Sequence, residues 1–178
     1  MRLLGLDEVW WLVSPQNPLK PAAGMAPLAA RLRSARAMAR HPRIKPMAIE
    51  AELGTRFAVD TVAALQRRSP KVAFIWLMGA DIVAEFHRWQ RWRTLAQSVP
   101  IAVLARPHYV GSGLVSPAMA WLRRWRRLPV QAREWTRWPL PAIVFLEIRR
   151  TPLSATAIRA ADPDWSQRFD EHDTRQRI

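Results

Sequence analysis

A continuous apolar run near the middle of the chain reads Val72-Ala73-Phe74-Ile75-Trp76-Leu77-Met78 and is closed by Gly79. The run is shorter than a typical helix, and its aromatic and β-branched side chains favour a strand. Because no polar residue alternates with the apolar ones, other parts of the chain should cover both faces of this strand. The run therefore predicts a central strand of a parallel sheet.

The segments before and after this run alternate between strand patterns and helix patterns. Short apolar runs predict strands over 9–13, 101–104 and 143–146, and a further strand over 44–49 that Pro46 confines to an edge or irregular position. Apolar residues at three- and four-residue steps predict helices over 28–39, 59–68, 82–86, 89–97 and 117–127, and another helix opens near 154. This alternation predicts an α/β fold, with a Rossmann-like parallel sheet and helices on both of its faces.

The composition favours one compact domain in a reducing compartment. The chain has 178 residues, of which 49% are apolar, so one core over 1–178 is expected, with a disordered polar tail over about 170–178. The absence of cysteine excludes a disulfide framework and a thiolate metal site. The early apolar stretch over 9–13 is too short to span a bilayer, and no export signal precedes it. We therefore expect a cytoplasmic protein without a membrane partner.

The net charge of +14 implies an anionic partner, and phosphorylated small molecules, RNA, DNA and acidic membranes all qualify. Much of the excess lies in an Arg/Trp block over 121–138, which contains six arginines and four tryptophans. Such a mixture can stack on single-stranded nucleic acid. It is more often a solvated face with tryptophans packed beneath it, and we favour that interpretation.

In parallel α/β sheets, ligands bind beyond the carboxyl ends of the strands, which directs attention to the loops over 14–20, 79–92, 106–113 and 151–159. The last of these contains Ser154-Ala155-Thr156-Ala157-Ile158-Arg159. Hydroxyls and free amides at a helix start, with an arginine that leans back over the first turn, form a phosphate-binding arrangement. An N-cap serine followed by a surface arginine is the alternative.

Residues Gly79-Ala80-Asp81 follow the central apolar run. The glycine lets backbone approach a ligand, and the carboxylate can accept hydrogen bonds from ribose hydroxyls. A turn glycine with a helix-capping aspartate explains the same residues.

Two further side chains in these loops fit an anionic aromatic ligand. One face of Trp89 can stack on a flat heteroaromatic ring such as a pyridine, although core packing is the commoner role of a tryptophan. Lys20 can meet a phosphate, although most lysines are simply solvated.

Five segments of the chain resemble the bacterial nicotinate-nucleotide adenylyltransferases, in the family's order and over nearly the whole length. They are Leu4 to Lys20, with the loop Ser14-Pro15-Gln16-Asn17-Pro18; Thr55 to Thr61; Met78-Gly79-Ala80-Asp81 with Phe86 and Trp89; Val103 to Pro107; and Leu153 to Arg159. Together these motifs are far more specific than any one of them.

The resemblance implies the nucleotidyltransferase fold and adenylyl transfer from ATP to nicotinate mononucleotide in NAD biosynthesis. The products are nicotinate adenine dinucleotide and pyrophosphate, and Mg²⁺ accompanies ATP. By carry-over, Ser154, Thr156 and Arg159 bind the ATP phosphates; Thr55, Gly79, Asp81 and Trp89 bind nicotinate mononucleotide, with Lys20 and Arg106 as weaker candidates for its anionic groups. No residue of the chain is expected to bind a metal directly.

The chain departs from the family pattern at its start. Family members open with a strand, a glycine-rich turn and a histidine-x-glycine-histidine motif, but the four histidines here occur as His41-Pro42, His87-Arg88, His108-Tyr109 and His172-Asp173. We therefore expect that the first strand, beside 9–13, and most of the first helix are missing, either because the true start lies upstream or because the gene is degraded. The catalytic histidines then have no counterpart here.

Two rival functions follow from these features. The first is a nucleotidyltransferase that is inactive or differently specific, and the second is a basic nucleic-acid-binding protein. We favour the adenylyltransferase over nucleic-acid binding because the basic block explains none of the ordered loop motifs. A smaller departure is Phe57-Ala58, where the family commonly has tyrosine and threonine.

Overall fold

The computed structural model describes residues 1–15, 25–105, 115–147, 161–162 and 165–169. In chain order, the strands are β1 (Val9–Leu12), β2 (Ile44–Met47), β3 (Trp76–Gly79), β4 (Ile101–Ala105), β5 (Arg126–Arg127) and β6 (Ile143–Glu147). The α-helices whose bounds are described are α1 (Leu28–Met38), α2 (Ile49–Leu53), α3 (Ala58–Arg68), α4 (Ala80–Glu85), α5 (Trp92–Ser98) and α6 (Pro117–Leu122). Short 3-10 helices cover Phe86–Arg88, Arg123–Trp125, Pro129–Arg137 and Gln167–Phe169.

The chain divides into two compact units. The first unit comprises Met1, Leu6–Arg56 and Thr151–Ile178, and the second comprises Arg2–Gly5 and Phe57–Arg150. The expectation of a single domain over 1–178 stays a prediction.

The first unit contains a pair of parallel strands, β1 and β2, joined by α1. Val9 lies opposite Ile44 and Leu12 opposite Met47. Two backbone hydrogen bonds lie at the ends of this pair. The Val9 amide donates to the Arg43 carbonyl at 2.8 Å, and the Val13 amide donates to the Met47 carbonyl at 2.9 Å. Pro46, which has no N–H, is tolerated in β2 because β2 pairs with β1 alone among the described strands, as an edge strand does.

The second unit contains a four-stranded parallel sheet in the order β3-β4-β6-β5. Its interior strands are the most apolar ones, and Ile101 to Val103 and Ile143 to Phe145 are buried. Helices α3, α4, α5 and α6 contribute the remaining core side chains, among them Val62, Val83, Leu95 and Leu122. The architecture is thus parallel sheet with helices on both faces, which confirms the predicted fold class.

The edge strand β5 has only two residues, Arg126 and Arg127. A short edge strand with charged side chains offers little to a further strand, so it limits edge-to-edge association.

Three predicted elements differ in extent from the observed ones. Strand β3 covers Trp76–Gly79 rather than 72–78, and it lies at one edge of the described four-stranded sheet, not at its centre. The reason is its partner: β4 begins at Ile101, opposite Trp76, so the earlier residues have no strand beside them. The helix predicted over 117–127 ends at Leu122, because the chain then turns through a 3-10 helix into β5. The helix predicted over 89–97 begins only at Trp92.

The other predicted strands and helices agree with the observed ones to within a few residues, except that Ile49 opens α2 instead of closing β2. The sequence patterns did not predict α2 or β5. The helix predicted near 154, the loop over 106–113 and the tail over 170–178 lie outside the described residues.

Candidate nucleotide-binding site

The carboxyl end of β3 carries the Gly79-Ala80-Asp81 motif. Gly79 is the N-cap residue of α4, and no side-chain hydrogen bond caps this helix. Asp81 is exposed in the first turn. Its Oδ1 atom would overlap a Cβ built on Gly79, and its Cγ lies 3.5 Å from that Cβ position. The carboxylate is therefore folded back over the glycine rather than used as a helix cap. This placement suits a carboxylate that accepts hydrogen bonds from ligand hydroxyls.

Trp89 follows the 3-10 helix Phe86–Arg88 in the same segment. Its half-buried ring meets Phe86 and Trp76 edge-on, with centroid distances of 5.5 and 6.1 Å and interplanar angles of 69° and 85°. Trp89 therefore packs against the apolar cluster of the second unit and also keeps part of its surface open to solvent. Packing of this kind orients an indole ring and leaves stacking available as a second role.

A polar cluster occupies the carboxyl ends of β1 and β2 in the first unit. The hydroxyl of Ser14, after β1, donates to Oε2 of Glu50, which is buried in α2. Thr55, half-buried after α2, donates its amide to the Glu50 carbonyl at 2.9 Å. The bend between them is made at Gly54, whose φ of +63° is accessible to glycine without strain.

Arg31 of α1 forms hydrogen bonds with both ends of the segment between β1 and α1. Its guanidinium donates to the carbonyls of Ser14 at 2.6 Å, Pro15 at 2.8 Å and Ala26 at 2.9 Å. Burial lowers the pKa of this guanidinium from its ordinary value. Sequence patterns did not reveal this role, because an arginine in an amphipathic helix gives no sign of the carbonyls it reaches.

Four of the predicted site residues lie in the described part of the chain, and five lie outside it. Gly79 and Asp81 meet at the end of β3, Trp89 contacts Trp76 at the start of the same strand, and Thr55 lies in the first unit. Lys20, Arg106, Ser154, Thr156 and Arg159 lie outside the described residues, so their assignments stay predictions.

The Arg/Trp block packs its tryptophans beneath its arginines. Trp121 contacts Trp92 and Trp125, with centroid distances of 5.3 and 4.5 Å. The Arg93 guanidinium lies 4.5 Å from the Trp92 ring centroid, and that of Arg124 lies 5.1 Å from the Trp125 centroid. Within the block every arginine except Arg127 is exposed and every tryptophan is half-buried or buried, which fits the solvated-face interpretation, although the block is not one continuous helix.

The described residues lack two features. No helix among them combines the length and apolar character needed to cross a membrane. They also contain no group of three or more His, Cys, Asp or Glu residues that could hold a metal ion.

Comparison with known proteins agrees with the sequence motifs. The model of the cytidylyltransferase-like family matches residues 1–161. A probable nicotinate-nucleotide adenylyltransferase of Erythrobacter litoralis (strain HTCC2594) is 54% identical over 169 residues, which cover 95% of this chain and 77% of that protein. One of Cereibacter sphaeroides (strain ATCC 17023) is 51% identical over 163 residues, which cover 90% of this chain and 84% of that protein.

Solved structures show the same fold at low sequence identity. The nicotinic acid mononucleotide adenylyltransferase of Plasmodium falciparum, complexed with NaAD, superposes with a TM-score of 0.60 at 12% identity, covering 89% of this chain and 72% of that chain. Its complex with APC gives a TM-score of 0.58 at 11% identity over the same shares. The solved structures support the assignment of the fold, and the sequence matches establish the family. The chain therefore belongs to the cytidylyltransferase-like family and, within it, to the nicotinate-nucleotide adenylyltransferases.

Proposed function

We propose that this protein transfers the adenylyl group of ATP to nicotinate mononucleotide, giving nicotinate adenine dinucleotide and pyrophosphate. The observation that carries the proposal is the segment after β3. It presents the exposed Asp81 carboxylate, which does not cap α4, and the half-buried indole of Trp89, which packs edge-to-face against Phe86. A ribose and a flat heteroaromatic ring are the two chemical groups that such a pair recognises. Nicotinate mononucleotide contains both of them.

The proposed reaction is a single in-line displacement. A 5′-phosphate oxygen of nicotinate mononucleotide forms a bond to the α-phosphorus of ATP while the bond from that phosphorus to the bridging oxygen breaks. The electron pair leaves with pyrophosphate, and no covalent enzyme intermediate forms. The protein contributes by aligning the two phosphates and neutralising the charge on their oxygens.

Each predicted site residue has a part in this proposal. Asp81 accepts hydrogen bonds from the ribose, Gly79 leaves room for the Asp81 carboxylate, and Trp89 stacks on the pyridine ring. The remaining assignments come from the family motifs: Thr55, Lys20 and Arg106 for nicotinate mononucleotide, and Ser154, Thr156 and Arg159 for the ATP phosphates.

Mg²⁺ enters the proposal bound to the ATP phosphates, because this ion keeps several of its waters and needs few protein carboxylates. The net charge of +14 suits two anionic substrates. A cysteine-free chain with phosphorylated substrates also fits the cytoplasm, which is the proposed location.

The direct test is pyrophosphate release from Mg-ATP in the presence of nicotinate mononucleotide, nicotinamide mononucleotide or a pantetheine phosphate. We expect release with the pyridine nucleotides, highest with the nicotinate form, and none with the pantetheine substrate, because Trp89 offers a ring-stacking surface that the latter cannot use. A preference for the pantetheine phosphate would contradict the proposal.

The assay is run with the 178-residue chain and with a form extended at its N-terminus by the strand, glycine-rich turn and histidine motif of the family. Pyrophosphate release by the extended form alone would show that this motif is needed for activity. No release by either form would favour the inactive-remnant alternative.

A further inference from the structure

The residue that closes the Trp89 turn has an unusual backbone. Arg91 has φ 47° and ψ 42°, and it is the only described residue other than glycine with a positive φ. An L-residue in this left-handed region is strained, because its Cβ crowds the following carbonyl oxygen. Such a conformation persists where the surroundings hold it, and it is common near ligand sites.

An ion pair connects Arg91 to helix α3. Its Nη2 atom lies 2.5 Å from Oδ1 of Asp60, in the first turn of that helix. A second tie lies at the other end of α5, where Gln66 of α3 donates to the Ser98 carbonyl at 2.8 Å. Helix α5 is therefore attached to α3 at both ends, and the Asp60–Arg91 pair is the attachment next to Trp89.

The backbone amide and the carbonyl of Trp89 both form hydrogen bonds in the turns next to the Asp60–Arg91 pair. Its amide donates to the Phe86 carbonyl at 3.0 Å, and its carbonyl accepts from the Trp92 amide at 3.2 Å. The second of these bonds spans the turn that contains Arg91. A change of conformation at Arg91 would therefore move the Trp89 carbonyl, and the indole ring would move with it.

We propose that Asp60 and Arg91 are positioning residues, which hold the turn over 89–92 so that the Trp89 ring is oriented for the substrate's pyridine ring. This inference rests on the proposed function, because it assigns the pair a role in binding nicotinate mononucleotide. The pair itself adds little stability, since its side chains are 40% and 52% exposed. Its effect should therefore appear in ligand binding rather than in unfolding.

The test is a double-mutant cycle with Asp60→Ala, Arg91→Ala and the double variant, in which nicotinate mononucleotide binding is measured by calorimetry. We expect each single variant to weaken binding by about three- to tenfold, and the double variant to be no weaker than the worse single one. The dissociation constant for Mg-ATP, measured in the same way, should change by less than about twofold, because general damage to the protein would weaken the binding of both substrates.

Two further variants separate positioning from strain and from charge. Arg91→Gly removes the pair but relieves the left-handed backbone, so it should weaken binding without lowering the unfolding midpoint. Arg67→Ala removes the same charge from an exposed site on α3 and should bind the nucleotide as the wild-type chain does.

The outcomes distinguish the two claims. Suppose that the wild-type chain binds nicotinate mononucleotide and that every variant of the pair binds it equally well. This result would overturn the role of Asp60 and Arg91 and leave the proposed function in place. Equal losses for both substrates would also overturn it, since they would show a general structural effect. If the wild-type chain does not bind nicotinate mononucleotide, the proposed function is refuted, and so is the role of the pair that depends on it.

Discussion

The Asp81 carboxylate folds back over Gly79 at the end of β3, so a methyl group at position 79 would overlap its Oδ1 atom. The backbone of Gly79 is ordinary, with φ −74° and ψ 156°, and any residue can adopt it. The glycine is therefore required by the position of its neighbour's side chain and not by its own conformation.

The variant Gly79→Ala should weaken nicotinate mononucleotide binding by about tenfold, because Asp81 must leave its rotamer and one hydrogen bond to a charged group is lost. Thermal unfolding should change little, since Asp81 is exposed and can rotate. Calorimetric titration of Gly79→Ala, Asp81→Ala and the double variant checks this. If the double variant binds more weakly than Asp81→Ala alone, the effect of the methyl group does not act through Asp81.

Glu8 provides a pH-dependent prediction. A hydrogen bond from the Trp10 indole at 2.9 Å, together with nearby Lys45, lowers the pKa of this exposed carboxyl. Since the folded-state pKa is the lower one, the stabilisation is present above the unfolded-state value and disappears as pH falls through the folded-state value. The unfolding midpoint of Glu8→Gln should thus lie below that of the wild type near neutral pH, and the two should converge in acid. A gap that persists below the folded-state pKa would contradict this cause.

At the scale of elements, Arg31 connects the end of β1 to the start of α1 through three backbone carbonyls. Replacement by alanine leaves these carbonyls without their charged donor, so Arg31→Ala should lower the free energy of unfolding by about 1–3 kcal/mol. Urea unfolding measures the loss, with Arg36→Ala as a control at an exposed position on the same helix. Equal stability of the two variants would show that the three hydrogen bonds contribute nothing net.

Local sequence patterns predicted most elements but not their ends. The spacing of Val59, Val62 and Leu65 marks α3 because a helix face is a local property. By contrast, the start of β3 depends on where its partner β4 begins, and the end of α6 depends on the pairing of β5 with β6. Such pairings join residues that are distant in sequence, so no local pattern contains them.

The same limit applies to the candidate site. Gly79, Asp81 and Trp89 could be found from sequence because they occupy one short segment after a strand. The Ser14–Glu50 hydrogen bond spans 36 residues and the Arg91–Asp60 pair spans 31, and neither has a local signature. The left-handed backbone of Arg91 was equally hidden, since arginine is not a residue that favours this region.

At the scale of the whole molecule, the net charge of +14 should attract both proposed substrates. Attraction of this kind is screened by salt, with a Debye length of about 10 Å at 0.1 M and about 3 Å at 1 M. The dissociation constant for Mg-ATP should therefore rise several-fold as sodium chloride increases from about 0.05 to about 0.5 M. Calorimetric titration at fixed Mg²⁺ checks this, and a dissociation constant independent of salt would show that long-range charge plays no part.

The central claim is that the segment after β3 recognises nicotinate mononucleotide through Trp89. The most direct measurement is the calorimetric dissociation constant of this nucleotide for the wild-type chain, Trp89→Ala and Trp125→Ala, a matched half-buried tryptophan of the Arg/Trp block. Loss of base–aromatic stacking is worth about 1–3 kcal/mol, so Trp89→Ala should weaken binding by about tenfold or more while Trp125→Ala binds as the wild type does. Equal binding by all three proteins would contradict the account.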